Sequence, residues 1–168
     1  MTLSGKCKLF FEIFDDGDKS ENFVGTLAKH EFDKAFQWAD GTSDGQIDVV
    51  YSDRGSAAAS ATTQIDLAGS LLDPWGRTIT FTIVKLIVLV NRNTAAGDIL
   101  HFGPHTSNGF TGFWSGTNPL NVVDPSTTAQ PSLVWFYSPA GKAVTAATAD
   151  ILRIVEVGAA NTANWDIF

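Results

Sequence analysis

Residues 78–91 read TITFTIVKLIVLVN, a run rich in Ile, Val and Thr in which Lys85 is the single charge. A strand buried on one face alternates apolar with polar residues, whereas a run this continuous is the pattern of a strand covered on both faces. Its apolar part, 79–90, falls well short of the ~20 residues that a spanning helix requires. A central strand is therefore expected here, with Lys85 laying its stem along the sheet and carrying its ammonium group to the edge.

Working back from this run, Asp73-Pro74-Trp75-Gly76 has the chemistry of a tight turn, Pro supplying a fixed φ and Gly a positive one. Before it, Thr63, Ile65 and Leu67 alternate with Gln64 and Asp66, and Ile47, Val49 and Tyr51 form an earlier alternating set. Between those two sets, Gly55 and an Ala-Ser run loosen the chain. Residues 28–40 fit two periods. Ala28, Phe32, Ala35, Phe36 and Ala39 keep helical spacing, while Ala28, His30, Phe32, Phe36 and Trp38 share one parity against Lys29, Glu31, Asp33 and Gln37. The alternation is the cleaner pattern and favours a strand, with a short N-terminal helix or arm as the alternative. Residues 6–14, dense in Phe and Leu, read as a strand that ends at Asp15-Asp16-Gly17-Asp18.

Beyond the run, residues 99–102, 120–123, 133–137, 150–157 and 164–168 are short strand candidates. They are separated by Gly103-Pro104, Asp124-Pro125, Pro139-Ala140-Gly141 and Gly158-Ala159-Ala160-Asn161. Short strands at this spacing, without βαβ alternation, argue for a sandwich, jelly roll or barrel, and the fold expected is all-β, a single-domain β-sandwich or jelly-roll-like domain. A chain of 168 residues suits one domain,. Residues 1–38 form a variable N-terminal segment of it and 39–168 its core.

The net charge is −7 and no stretch collects several Lys or Arg. A phosphate backbone or an anionic membrane needs a basic face, so neither nucleic acid nor membrane is an expected partner. Charged residues make up 17% of the chain, and Thr, Ser, Ala, Asn and Gly fill the gap, as suits strands and turns,. Cys7 stands alone and reads as a small apolar filler, so no intramolecular disulfide is expected,. The patch 9–14 is short and carries Glu12, unlike a signal peptide.

Chemistry-bearing patterns are weak throughout. His101 and His105 are four apart, but Gly103 and Pro104 between them prevent the helix that would bring the imidazoles together. Asp16, Asp18 and Ser20 imitate the start of a calcium loop, yet Leu27 stands where a bidentate Glu belongs. Gly109-Phe110-Thr111-Gly112 lacks the Lys of a phosphate loop, and there is no Gly-x-Ser-x-Gly elbow. No catalytic residue, cofactor-binding residue or metal ligand is expected, and the chain reads as a non-enzyme. Phe110, Phe113 and Trp114 differ in kind, because they lie in a Gly- and Ser-rich stretch. They are either a loop folded back over the core or a contact patch for another subunit or ligand, and they are the candidate interface residues.

From about residue 39 onward the chain resembles a family of small tailed-bacteriophage virion proteins. The carrying residues are Ala39-Asp40-Gly41-Thr42 with Gln46, Tyr51-Ser52-Asp53-Arg54, Asp66-Leu67-Ala68-Gly69-Ser70-Leu71, and the Trp75-Gly76 turn leading into residues 80–85. Ala143-Val144-Thr145-Ala146, residues 150–154 and the closing Trp165-Asp166-Ile167 complete them. The chain departs from its relatives at Pro125 and Pro131, which flank a Ser-Thr-rich loop where they carry a Pro-Gly-Gly turn. It also ends on Phe168 where many of them end on glycine. The resemblance implies a structural role in the virion and no activity. The expected protein is a capsid decoration or cement subunit, made in the host cytoplasm. It would assemble with itself, for example as a trimer, and with virion proteins such as the major capsid protein. A ligand-binding module of a tail fibre or tip, with Trp114 stacking on sugar rings, is the alternative, and a small hydrolase a distant third.

Overall fold

The deciding run folds as a short strand, a three-residue break and a long central strand. The computed structural model describes residues 5–15, 28–69, 71–73, 75–93, 99–122, 131–157 and 162–168. Its strands, in chain order, are β1 (Gly5–Asp15), β2 (Ala28–Asp40), β3 (Gln46–Ile47), β4 (Asp53–Ala57), β5 (Thr62–Asp66), β6 (Leu71–Leu72) and β7 (Thr78–Ile79). There follow β8 (Ile83–Asn91), β9 (Leu100–Pro104), β10 (Leu120–Val122), β11 (Ser132–Ala143), β12 (Ile151–Glu156) and β13 (Ala163–Ile167). No helix occurs among the described residues. The Asp16, Asp18 and Ser20 turn lies outside them.

The chain divides into two units, Met1–Asp48 and Val49–Phe168. In the first, β1 and β2 pair antiparallel from Gly5 opposite Trp38 to Asp15 opposite Ala28, and β3 joins β2 in parallel. The alternation across residues 28–40 thus decides against the helical spacing. Cys7 stands opposite Phe36 in this ladder.

The second unit is a sandwich of two four-stranded antiparallel sheets, with orders β10-β9-β12-β5 and β11-β8-β13-β4. The eight strands of these two sheets form nested pairs, β4 with β13, β5 with β12, β8 with β11 and β9 with β10. The strands therefore trace one long hairpin whose tip is β9–β10. Rolling that hairpin up creates the two remaining pairings, β12 with β9 and β13 with β8. This is the order of a jelly roll. Leu152 and Ile154 from one sheet meet Ile87, Leu89, Trp165 and Ile167 from the other in a single apolar cluster. Burying each such side chain contributes roughly 1.5–3 kcal/mol.

Local differences from the sequence reading have physical causes. Asp53–Ala57 is a strand although Gly55 and the residues after it suggested a loosened chain. A Cβ on Gly55 would lie 2.3 Å from Cζ2 of Trp165, so the indole occupies the space of the missing side chain,. Pro104 ends a strand instead of making a turn. Pro139-Ala140-Gly141 is a bulge inside β11: five residue steps from Tyr137 to Lys142 span two steps of β8, and Gly141 takes φ +79°,. Val49 and Tyr51 lie outside any strand. Lys85 sits opposite this bulge, half-buried, its stem passing over Gly141.

Candidate interaction surface

Three glycines shape the loop that carries the candidate aromatics. A Cβ on Gly109 would strike the His105 carbonyl, one on Gly112 would strike the Phe110 ring, and one on Gly103 would meet Pro119. Asn108, at φ +56°, turns the chain so that the Phe110 N–H donates to the Ile151 carbonyl at 3.0 Å. The loop thereby closes onto the sandwich. Phe110 is completely buried, which makes it a core residue and leaves it no surface to offer a partner. Phe113 and Trp114 are half-buried against the same core. Trp114 lies 4.8 Å from the Phe136 ring and meets Phe102 edge-on at 5.6 Å, while Phe113 reaches Phe136 at 5.6 Å. The structure therefore brings the three residues together as a loop folded back over the core. The 103, 109, 112 glycine spacing was the signal for it.

His101 and His105 do not converge. His101 faces outward from β9, where burial and then the Arg153 charge hold its pKa below the ordinary value. His105 lies beyond the strand, its Nδ1 2.9 Å from the Ser107 carbonyl oxygen and its Nε2 3.3 Å from Gln64 Nε2. Among the described residues, no three His, Cys, Asp or Glu side chains stand where they could hold a metal ion.

Two surfaces escaped the sequence reading. The first is the turn between β6 and β7, where Asp73 is buried and Trp75 is 61% exposed. Oδ1 of Asp73 accepts from the backbone N–H groups of Trp75 and Arg77, each at 2.9 Å, and Oδ2 accepts from Arg77 Nε at 2.6 Å. Desolvation pushes the Asp73 carboxyl up, but these donors and the guanidinium outweigh it and hold the pKa below the ordinary value,. The Arg77 guanidinium then stacks 5.3 Å from the Trp75 ring centre, which leaves an indole presented on a locked turn,.

The second surface is the β11–β8 half of the outer face of the β11-β8-β13-β4 sheet, beyond which Asn164 and Asp166 of β13 stand opposite Ser56 and Arg54 of β4. Ile87, Leu89 and Asn91 point inward from β8 and are buried, so Leu86, Val88 and Val90 face out. Their cross-strand partners on β11 are Tyr137, Trp135 and Leu133. On the other side, Val88 and Phe168 exchange both backbone hydrogen bonds, at 2.8 and 2.9 Å, placing the Phe168 ring on this face too. Leu133 is 61% and Phe168 55% exposed. At one corner Asp166 is shared by Arg54 at 2.8 Å and Arg92 at 2.9 Å. The outer face of the opposite sheet is mixed, with Gln64, Asp66, His101 and Arg153 standing among Ile151 and Val155.

No family model, curated protein or solved structure matches the chain.

Polar groups inside the sandwich serve the fold. Asn91, fully buried, donates from Nδ2 to the Val122 carbonyl at 3.2 Å and accepts from Asn93 Nδ2 at 2.7 Å, joining the two sheets. Asn93 Oδ1 in turn accepts from the Asn164 backbone N–H at 2.7 Å. Asp150 accepts from the Ala147 N–H and holds the turn at 145–149, where Ala147 takes φ +60°.

Proposed function

We propose that this chain is a bacteriophage virion structural subunit, a capsid decoration or cement protein that works by assembly rather than by catalysis. The observation that carries the reading is the jelly roll with an apolar outer strip on β8 and β11. Sandwich strands open to water alternate apolar with polar residues, whereas Leu86, Val88, Val90, Leu133, Trp135 and Tyr137 all stand outward from β8 and β11,. Jelly rolls recur in capsid and lectin domains, a likeness of architecture that supports an assembly role only by analogy. The resemblance of residues 39–168 to small tailed-phage proteins supplies the particle as the setting.

The turn at Trp75 favours the second reading, a ligand-binding module on a tail fibre or tip. An indole held rigid and exposed is suited to stacking on a sugar ring, a role that the half-buried Trp114 is poorly placed to fill.

Electron microscopy of particles lacking the protein, before and after it is added back, tests both. Density regained on the head surface supports the decoration reading, density at the tail tip supports the second, and no binding to any part of the particle refutes both.

A further inference from the structure

We propose that the outer face of the β10-β9-β12-β5 sheet holds a carboxylate-binding site centred on Arg153, with an acidic sugar of the uronic-acid class as its ligand. The site lies on the opposite sheet from the apolar strip and rests on neither reading above.

Arg153 stands outward near the middle of β12, between Gln64 of β5 and Gly103 of β9. It is half-buried, and its Nε is closed off from water without a hydrogen-bond partner. Among the described residues no carboxylate forms an ion pair with it. The acid described on this face, Asp66, stands opposite Ile151 and accepts from the Ala68 N–H at 3.1 Å. Withdrawing a charged group from water is costly unless a counter-charge meets it, and buried donors in folded proteins nearly always find an acceptor.

A second such donor comes from the aromatic loop. Trp114 Nε1 is likewise buried and without a partner, and it lies 3.4 Å from the point that a Cβ on Gly103 would occupy. Gly103 is the residue paired with Arg153, so its missing side chain lets the indole N–H approach the backbone next to that arginine. Other nitrogens complete the surround. His101 stands two residues before Gly103 on the same face. His105, just beyond β9, reaches over β12 and sets its Nε2 3.3 Å from Gln64 Nε2 on β5. Donors thus gather about one glycine, and the protein supplies no anion for them.

Charge and hydrogen bonding select the ligand. Arg153 is the one Lys or Arg described on this face, so the site balances a single negative charge. A planar carboxylate carries that charge and matches the guanidinium fork. A phosphate would bring about two negative charges to a chain already at −7,. Thr62, Gln64 and Asn121 stand on the same face and are exposed. Uncharged side chains that donate and accept suit the hydroxyls of a sugar ring.

Nuclear magnetic resonance of the protein titrated with glucuronate is the test. The Gly103 amide and the Trp114 indole N–H, the latter assigned by its loss in Trp114→Phe, should shift and saturate. Glucose, which lacks the carboxylate, should leave both signals in place. Arg153→Gln should weaken glucuronate binding by about tenfold or more, the effect of losing a charge-assisted hydrogen bond. Arg153→Lys keeps the stem and the charge but loses the fork, and should bind between the two. Arg54→Gln, on the other sheet, should bind as the parent does. Thermal melts confirm that each variant is folded, and Arg153→Lys carries the comparison should Arg153→Gln not fold. Unmoved Gly103 and Trp114 signals, glucose shifting them as glucuronate does, or Arg153 variants binding as the parent does would each overturn the proposal. N-acetylglutamate binding more tightly than glucuronate would overturn the sugar assignment and give the site to an acidic peptide. The virion reading stands under all of these outcomes, since it does not use Arg153.

Discussion

Phe110→Ala separates a core role from a contact role for the aromatic loop. The ring is completely buried, at 6.1 Å from Phe113 and 6.5 Å from Trp114, edge-on to both. Removing it forfeits a transfer term of about 2–3 kcal/mol. The void left by a phenyl ring, roughly 70 Å³, adds about 1.7 kcal/mol at about 24 cal/mol per Å³. The loss should thus be about 4 kcal/mol, inside the 3–5 kcal/mol typical of Phe→Ala in cores and a large part of an ordinary domain's stability. Phe110→Leu, which keeps most of the volume, should cost less than about 1.5 kcal/mol. Urea unfolding followed by near-ultraviolet circular dichroism measures both. With a slope of about 1–3 kcal/mol per molar, the Ala variant's midpoint should fall by more than about 1 M. A loss below about 1 kcal/mol together with weakened assembly would refute the core assignment and return Phe110 to the contact surface.

Gly55→Ala should destabilise by about 1–3 kcal/mol in thermal melts, because its methyl group must displace the buried indole of Trp165,. Unchanged stability would mean that the ring shifts freely. Asp73, whose pKa is lowered on folding, adds stability that is present above its unfolded pKa near 3.8 and is lost as pH falls through the lower native value,. Asp73→Asn should therefore flatten the acid limb of a plot of melting temperature against pH, and an identical limb would refute the role of the turn. His101, also lowered, binds fewer protons folded than unfolded, so stability should drop as pH falls from 6.5 through its native pKa,. His101→Gln should remove that slope, measured by melts between about pH 5 and 8.

What the sequence by itself determined is the class of fold and the pairing habit of its parts. The unbroken run around Lys85 required a central strand, the parity of residues 28–40 chose strand over helix, and the turn residues divided the rest. These are local properties, since side-chain period and turn chemistry act over a few neighbouring residues. The nested order of the strands, which makes the sandwich a jelly roll, was decided only by tertiary structure. So were the places where local signals mislead. Gly55 reads as a break until Trp165, 110 positions later, is laid across it. Pro139-Ala140-Gly141 reads as a turn until β8 holds both sides of the bulge. Phe110, Phe113 and Trp114 belonged equally to a core or a contact patch, and the approach of their loop to Ile151 and Phe136 puts Phe110 in the core and leaves Phe113 and Trp114 half-buried beside it. The outer sheet face was half legible. Residues 83–90 demanded cover on both sides, and only the pairing register showed that Leu133 and Phe168 extend the same surface, because which residues share a face depends on partners far away in the chain.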